Sequence, residues 1–194
     1  TDPEQADNEP VRPPTIMGVV NQVLTDDDVV VCDASLASGW AASYLKLSKT
    51  GRRIMAPRGL AGLGWGSPAA VGAALAAKGK QRILHFAGDG GFSYSMQEME
   101  VMARYKLPVV TIILNNDTLG WIKHVQRDRY DENYISTDFA HIDFSVVAKG
   151  FGLRSYRVTD LVGLRECLDK EANPEGPSLI EVISDKWSSP VQEL

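Results

Sequence analysis

The sequence of 194 residues predicts an α/β protein with a doubly wound, mainly parallel sheet of about six strands and helices on both faces. Two observations carry this prediction. Segments with the composition of strands alternate with segments of helical periodicity along the chain. The strand segments are continuously apolar, which is typical of strands that are covered on both faces. In such folds ligands bind outside the carboxyl ends of the strands, so the residues that follow each strand are the candidates for function.

The first quarter of the chain predicts a tail followed by two helix and strand pairs. Residues 1–14 are acidic and contain four prolines, so they predict a linker or tail. Apolar residues at helical spacing predict a helix over 15–24, with Thr15 as its N-cap. A β-branched run bounded by acidic residues predicts a buried strand over 27–33. A helix over 40–47 and a short strand over 52–57 follow.

The middle of the chain predicts a crossover unit. An alanine-rich helix is expected over 67–78, with a proline near its start where the missing N–H costs nothing. A strand over 82–88, a helix over 95–105 and a strand over 108–116 follow. Because a helical crossover joins the two strands, we expect them to be parallel.

The last part of the chain continues the alternation. It predicts a helix over 143–152 that ends at a glycine, a strand near 154–158, a helix near 160–171 and a strand over 177–184. We therefore expect one domain over 15–187, between the amino-terminal tail and a short carboxyl-terminal tail over 188–194.

The composition excludes several classes of protein. Hydrophobic residues make up 44% and charged residues 23%, as in ordinary globular proteins. The net charge of −5, without any basic run, argues against a nucleic-acid partner. No apolar run approaches the roughly 18 residues of a membrane span, so no membrane partner is expected. The two cysteines are too few for a disulfide framework or a zinc cluster and predict reduced thiols in a cytoplasmic protein.

Side chains that could bind a ligand follow two of the predicted strands. Asp89 follows one strand and lies among Gly88, Gly90 and Gly91, and Asn116 follows the next strand. Parallel strands bring these groups to the same edge of the sheet. A carboxylate and an amide offer the hard oxygen ligands that Mg²⁺ prefers, and the glycines allow backbone N–H groups to approach an anion. The sequence therefore predicts a diphosphate held through Mg²⁺ at this edge.

Two other interpretations stay open at this point. Residues 64–69 fit the pattern G-x-G-x-x-A, which together with Asp89 is similar to a dinucleotide-binding fingerprint. No convincing strand leads into Gly64, however, and this interpretation leaves Asn116 without a role. A non-catalytic module of the same fold is the second alternative.

The motif "GDG", followed after 24 residues by "NN", resembles the cofactor motif of the thiamine diphosphate (ThDP) enzymes. The segments "GLAGLGWGSPAAVGAALA" (59–76) and "DENYISTDFAHIDFSVVAKGFG" (131–152) are similar to segments of the acetolactate synthase and 2-oxo acid decarboxylase group. The resemblance covers about residues 12–185. It implies the ThDP-binding fold and ThDP with Mg²⁺ as cofactors.

The resemblance also implies roles for single residues. The Asp89 carboxylate, the Asn116 side chain and the backbone carbonyl of Thr118 would ligate Mg²⁺. Leu63 would lie under the cofactor and bend it, and the carbonyl of Ala61 would accept a hydrogen bond from the pyrimidine amine.

Further cofactor contacts are implied on both sides of the diphosphate. Gly90 and Gly91 would donate backbone N–H groups, and Trp121 is the candidate for the substrate pocket. The other residues expected at the cofactor are Leu36, Ala37, Ser38, Gly88, Leu119 and Gly120. Acetolactate synthases have Gln-His-Gln where this chain has Leu-Ala-Ser at 36–38, and they have a tryptophan where this chain has Val125. These departures put a strict acetolactate synthase identity in doubt.

The activity that the resemblance implies is acetolactate synthase-like decarboxylation and carboligation of a small 2-oxo acid. The alternative is a simple 2-oxo acid decarboxylase of the benzoylformate or sulfopyruvate type. In this family a catalytic glutamate lies on a separate pyrimidine-binding domain, which is not found in this sequence. We therefore expect that domain as a partner within a homo- or hetero-oligomer, and an inactive chain without it. The sequence does not indicate whether FAD is bound.

Overall fold

The computed structural model describes residues 10–48 and 54–190, which form one six-stranded sheet with helices on both faces. The strands are β1 (Val29–Cys32), β2 (Ile54–Met55), β3 (Ile83–Gly88), β4 (Val109–Asn115), β5 (Arg154–Val158) and β6 (Ser178–Ile183). The helices are α1 (Pro13–Val23), α2 (Leu36–Tyr44), α3 (Gly66–Ala77), α4 (Asp89–Ser93), α5 (Glu98–Arg104), α6 (Gly120–Arg129), α7 (Phe144–Gly150) and α8 (Leu161–Lys170).

The sheet has the order β2-β1-β3-β4-β6-β5, and all of its strand pairs are parallel. The predicted fold class is therefore confirmed. From β1 the chain moves outward to β2, and it then returns to place β3 on the other side of β1. This reversal makes a topological switch point between β1 and β3, where open α/β sheets form a crevice for ligands.

The two faces of the sheet are covered by different helices. Helices α1, α2 and α8 pack on one face, and α3, α5 and α7 pack on the other. Neighbouring strand residues therefore enter different parts of the core: Ile112 packs with the first set of helices and Ile113 with the second. This arrangement explains why the strands are continuously apolar.

The ordered structure begins earlier than we predict from the sequence. Val11 is fully buried and pairs with Ser184 at the end of β6, although it belongs to the predicted linker. Helix α1 begins at Pro13 with Arg12 as its N-cap, so the prediction of Thr15 as the cap is wrong. The Thr15 hydroxyl instead donates a hydrogen bond to the Arg12 carbonyl at 2.7 Å. At the other end, Pro190 lies against Gly39 of α2.

Several predicted segments fall partly outside the described residues. These are residues 1–9 of the linker, 52–53 of the second strand and 191–194 of the tail. Within the described ranges, no helix is long and apolar enough to cross a membrane.

The helix predicted over 95–105 corresponds to α5, which begins only at Glu98, and a separate short helix, α4, precedes it from Asp89. Gly91 allows this early start, since a Cβ atom at this position would lie 2.3 Å from the Asp33 carboxylate. Helix α4 can therefore pack directly against the carboxyl end of β1. The segment from Asp89, which lies before the predicted helix, is therefore helical itself.

Candidate functional site

A cleft opens at the carboxyl edge of the sheet, over the switch point between β1 and β3. The segments that follow β1, β3, β4 and β6 all contribute to its walls. The residues of our predicted cofactor site that line this cleft are Leu36, Ala37, Leu63, Gly88, Asp89, Gly90, Gly91, Asn116, Thr118, Leu119 and Gly120. The fold therefore brings together residues that are up to 84 positions apart in the sequence.

Asp89 is the buried charge of this cleft, and its side chain is 5% exposed. Its carboxylate accepts hydrogen bonds from the backbone N–H groups of Gly90, at 2.8 Å, and of Asn116, at 3.3 Å. Burial raises the pKa of Asp89 to about 6, although these hydrogen bonds act in the opposite direction. None of the ion pairs among the described residues involves Asp89. Within residues 10–48 and 54–190, this buried carboxylate is therefore bonded to backbone N–H groups and to no cationic side chain.

The loop after β4 places further oxygen atoms beside this carboxylate. The Asn116 side-chain oxygen accepts a hydrogen bond from the Thr118 N–H at 3.3 Å, which folds the loop back on itself. Asp117 lies between them with a φ of 55°, in the left-handed region. The Thr118 hydroxyl donates to the Thr137 carbonyl at 2.8 Å and fixes the far side of the loop.

This set of donors is chemically suited to a hard divalent cation, which binds carboxylate, amide and carbonyl oxygens. In the described part of the chain, no three His, Cys, Asp or Glu side chains form a cluster that could hold a metal ion. A cation at this edge would therefore depend on amide and carbonyl oxygens beside the single carboxylate of Asp89.

The glycines of the site serve different purposes. A Cβ atom on Gly120 would lie 2.7 Å from Leu36, so this glycine allows α6 to begin close to α2. A Cβ atom on Gly88 would meet no protein atom within 4 Å. Packing within the chain therefore does not require a glycine at this position. The open space beside Asp89 can take a ligand.

Asp33 is a site residue that our sequence analysis misses. It follows β1, is 1% exposed, and accepts hydrogen bonds from the N–H groups of Gly64, at 3.0 Å, and Gly66, at 3.1 Å. It thereby fixes the loop that carries Leu63 against the end of β1 and against α4. The signal was present in the sequence, because an acidic residue directly follows a β-branched run, as Asp89 follows its own strand.

The same bonds weaken the dinucleotide-binding interpretation of residues 64–69. The backbone N–H groups of Gly64 and Gly66 are already used by Asp33. Strand β2 ends at Met55, so it does not lead directly into the start of α3 at Gly66.

A second, mainly apolar pocket adjoins the cleft and contains Ala61, Leu63 and Trp121. Leu63 is 37% exposed and Trp121 is 36% exposed, so neither residue belongs to the core. Ala61 has a φ of 51° and Ser35 a φ of 69°. Such left-handed non-glycine residues cluster at functional sites, which agrees with a binding role for this pocket.

Ser38 does not line the cleft, in contrast to our expectation. Its side chain is 1% exposed, and its hydroxyl donates to the Ser35 carbonyl and accepts from Arg58, both at 2.9 Å. The reason is that α2 begins at Leu36 and not near residue 40, so Ser38 lies inside the first turn of a helix. The expected contact of this hydroxyl with a diphosphate has no support in this geometry.

Comparison with known proteins shows the family of the chain. Residues 33–182 match the family model described as thiamine pyrophosphate enzyme, C-terminal TPP binding domain. An acetolactate synthase of Bacillus subtilis (strain 168) is 31% identical over 174 residues, which are 90% of this chain and 30% of that protein. The chain spans about a third of the length of the curated relatives that it matches.

Two solved structures share the fold. A thiamine diphosphate-dependent 4-hydroxybenzoylformate decarboxylase of Rhodococcus jostii RHA1 is 30% identical, with a TM-score of 0.84. A benzoylformate decarboxylase of Polynucleobacter necessarius is 23% identical, with a TM-score of 0.86. Each match covers 95% of this chain and 35% of the other chain.

Proposed function

Since the chain belongs to the thiamine pyrophosphate enzymes as their C-terminal TPP-binding domain, we propose that it holds thiamine diphosphate through a Mg²⁺ ion at the carboxyl edge of its sheet. The observation that carries this proposal is the buried carboxylate of Asp89. It lies in the cleft, has no cationic partner among the described residues, and is in contact with the Asn116 backbone. A buried charge of this kind is expected to have a partner, and here the metal would supply it.

The residues of the cleft have distinct tasks in this proposal. Asp89, the Asn116 side chain and the Thr118 carbonyl ligate the metal, which in turn binds the diphosphate. Leu63 and Ala61 line the adjoining pocket, where they contact and orient the pyrimidine end of the cofactor. When bound, thiamine diphosphate supplies the electron sink for cleavage of the bond beside a 2-oxo group.

We propose that the whole enzyme acts on a small 2-oxo acid by acetolactate synthase-like decarboxylation and carboligation. The acetolactate synthase among the relatives supports this choice. A simple 2-oxo acid decarboxylase is the second candidate, because the decarboxylase of Rhodococcus jostii RHA1 is about equally similar. Trp121 lines the pocket beside Leu63 and is the proposed contact with the substrate.

Product analysis of the complete protein distinguishes these two candidates. With pyruvate, a carboligase forms acetolactate, and a simple decarboxylase forms acetaldehyde. We expect acetolactate, and an aldehyde as the sole product from either pyruvate or benzoylformate would favour the second candidate.

We further propose that this chain requires a pyrimidine-binding domain, in the same polypeptide or in a partner subunit of an oligomer. The relatives are about three times as long as the chain. The chain alone, with ThDP and Mg²⁺ in excess, is therefore expected to release no carbon dioxide from pyruvate. Measurable turnover by the chain alone would overturn this part of the proposal.

The cofactor site is tested by replacing its carboxylate. Asp89→Ala removes the charged oxygen ligand, so we expect it to abolish Mg²⁺-dependent binding of ThDP in a calorimetric titration. The matched control is Asp160→Ala, which removes an aspartate that does not line the cleft and that caps α8 by accepting from the Gly163 N–H. The control is expected to bind as the wild type does. Unaltered binding by Asp89→Ala would refute the assignment.

A further inference from the structure

We propose that Glu181 is a positioning residue, which holds the loop with Asn116 and Thr118 in the geometry that Mg²⁺ requires. It acts through Asn115, the first residue of the Asn-Asn pair. This inference rests on the proposed function, since it concerns the same metal. The experiment below separates the failure of one from the failure of the other.

The contact between Glu181 and Asn115 is buried and short. Glu181 is on β6, is 0% exposed, and accepts a hydrogen bond from the Asn115 side-chain N–H at 2.7 Å. The same amide nitrogen donates to the Ile142 carbonyl at 3.0 Å. The Asn115 side-chain oxygen accepts from the Asp117 N–H at 3.3 Å. Asn115 therefore joins β6 to the backbone on the far side of Asn116.

The two asparagines consequently have different tasks. Asn115 is 1% exposed and does not line the cleft, whereas Asn116 lines it. The amide nitrogen of Asn115 donates to Glu181, and its amide oxygen accepts from the Asp117 N–H. Both bonds stabilise the loop. Asn116 thus lines the cleft from a loop that its neighbour holds in place, and its side-chain oxygen accepts from the Thr118 N–H within that loop.

A second path from Glu181 reaches the same loop. Its other carboxylate oxygen is 3.8 Å from Arg157 on β5. Arg157 donates to His141 Nε2 at 2.9 Å, and His141 Nδ1 lies 3.0 Å from the Asp117 carboxylate. Both paths from Glu181 therefore end at Asp117, which lies between the proposed ligands Asn116 and Thr118.

This double support matters because Mg²⁺ demands nearly ideal octahedral geometry and tolerates small displacements of its ligands poorly. Groups that orient metal ligands commonly change metal affinity 10–100-fold when they are replaced. The fully buried carboxylate of Glu181 also accepts from the Ser145 N–H at 3.2 Å, so it is itself fixed at the start of α7. It can transmit this rigidity to the loop.

The test compares Glu181→Gln with a matched control, Glu171→Gln, in the full chain. Glu171 is also buried, at 1% exposure, and is bonded to Arg154 and Tyr156 at the opposite edge of the sheet. Calorimetry measures the Mg²⁺ affinity at saturating ThDP, and thermal unfolding without ligands measures stability. We expect Glu181→Gln to weaken Mg²⁺ binding by about 10–100-fold. Glu171→Gln is expected to lower stability and to change Mg²⁺ affinity by less than about 2-fold.

A double-mutant cycle tests whether Glu181 acts through Asn115. If it does, Asn115→Ala weakens Mg²⁺ binding by itself, and adding Glu181→Gln has little further effect. Fully additive effects on Mg²⁺ affinity would overturn the inference. An unchanged affinity of Glu181→Gln, or equal losses in Glu181→Gln and Glu171→Gln, would also overturn it. If Glu181→Gln does not fold, Asn115→Ala decides alone: unchanged Mg²⁺ affinity contradicts the inference and a loss supports it.

Asp89→Ala, measured in parallel, identifies which statement fails. If Asp89→Ala abolishes Mg²⁺-dependent binding while Glu181→Gln leaves it unchanged, the metal site stands and only the role of Glu181 is refuted. If Asp89→Ala still binds Mg²⁺ and ThDP, the proposed function itself is refuted.

Discussion

The buried carboxylates of Asp28 and Glu171 at the amino edge of the sheet and of Asp89 at its carboxyl edge have different partners. At the amino edge, Asp28 is 4% exposed and forms an ion pair with Arg82 at 2.7 Å. Glu171 nearby is paired with Arg154, also at 2.7 Å. At the carboxyl edge, Asp89 is equally buried, but its partners in the described part of the chain are backbone N–H groups.

The pKa values of Glu171 and Asp89 reflect this difference. Burial alone would raise the pKa of Glu171, but hydrogen bonds from Arg154 and Tyr156 outweigh it and lower the pKa below its ordinary value. Burial raises the pKa of Asp89 to about 6, and only backbone hydrogen bonds from described residues oppose this effect. The amino edge is therefore built for stability, whereas the carboxyl edge keeps a destabilising charge that a ligand would compensate.

The largest expected effect is at the amino edge. Arg82→Ala leaves the Asp28 carboxylate buried without its partner and removes bonds to the Val23 and Glu171 carbonyls. Breaking a buried pair in this way costs about 3–5 kcal/mol. Urea unfolding measures this loss. Arg165→Ala breaks an exposed pair with Asp169 and is the control, with an expected change below about 1 kcal/mol. Equal effects of the two variants would contradict the comparison.

An intermediate effect of opposite sign is expected at the carboxyl edge. Asp89→Asn removes the uncompensated charge, so the domain without ligands should gain about 1–3 kcal/mol at pH 7.5, while Mg²⁺-dependent binding is lost. A loss of stability in urea unfolding would contradict our account of Asp89.

The pH dependence of this gain follows from the raised pKa. Asp89 takes up its proton more readily in the folded state than in the unfolded state, so its destabilising effect is complete above about pH 6 and absent below about pH 4. The stability difference between Asp89→Asn and the wild type should therefore shrink as the pH falls from 7.5 to 4. The contributions of other titratable groups to stability cancel in this difference. One such group is buried His85, since burial lowers its pKa to about 3. A difference that is constant with pH would contradict the assignment.

The last comparison is between two glycines of the carboxyl edge, and the smallest stability effect is expected at Gly88. Gly91→Ala places a Cβ atom 2.3 Å from Asp33, so we expect overpacking to cost about 1–3 kcal/mol in urea unfolding. Gly88→Ala meets no protein atom within 4 Å, so stability should change by less than about 1 kcal/mol. Calorimetry should nevertheless show weaker ThDP binding for Gly88→Ala, because the methyl group enters the space that we assign to the ligand. Unchanged binding would show that this space is not used.

The most accurate sequence predictions concern groups that follow strands directly. Asp89 and Asn116 could be placed at one edge because β3 and β4 are joined by a helical crossover, and the observed pairing of Gly88 with Leu114 agrees with this. The same logic would have found Asp33, had it been applied to the end of β1. It could not find Glu181, because this residue lies inside a strand and its role depends on a neighbouring strand that is 66 residues away from it in the sequence.

The sequence by itself determined the parallel α/β architecture, because apolar runs and helical periodicity are local patterns that reflect burial directly. It also determined which strand ends carry the Asp89 carboxylate and the Asn116 amide. Only the tertiary structure decided that Asp28 is buried in an ion pair with Arg82, whereas Asp89 is buried with no ion pair to another described residue. The start of α4 at Asp89 and the withdrawal of Ser38 into α2 were likewise decided by packing against distant segments. These properties depend on which groups meet across the sheet and on where water is excluded, and neither is encoded in any single stretch of the chain.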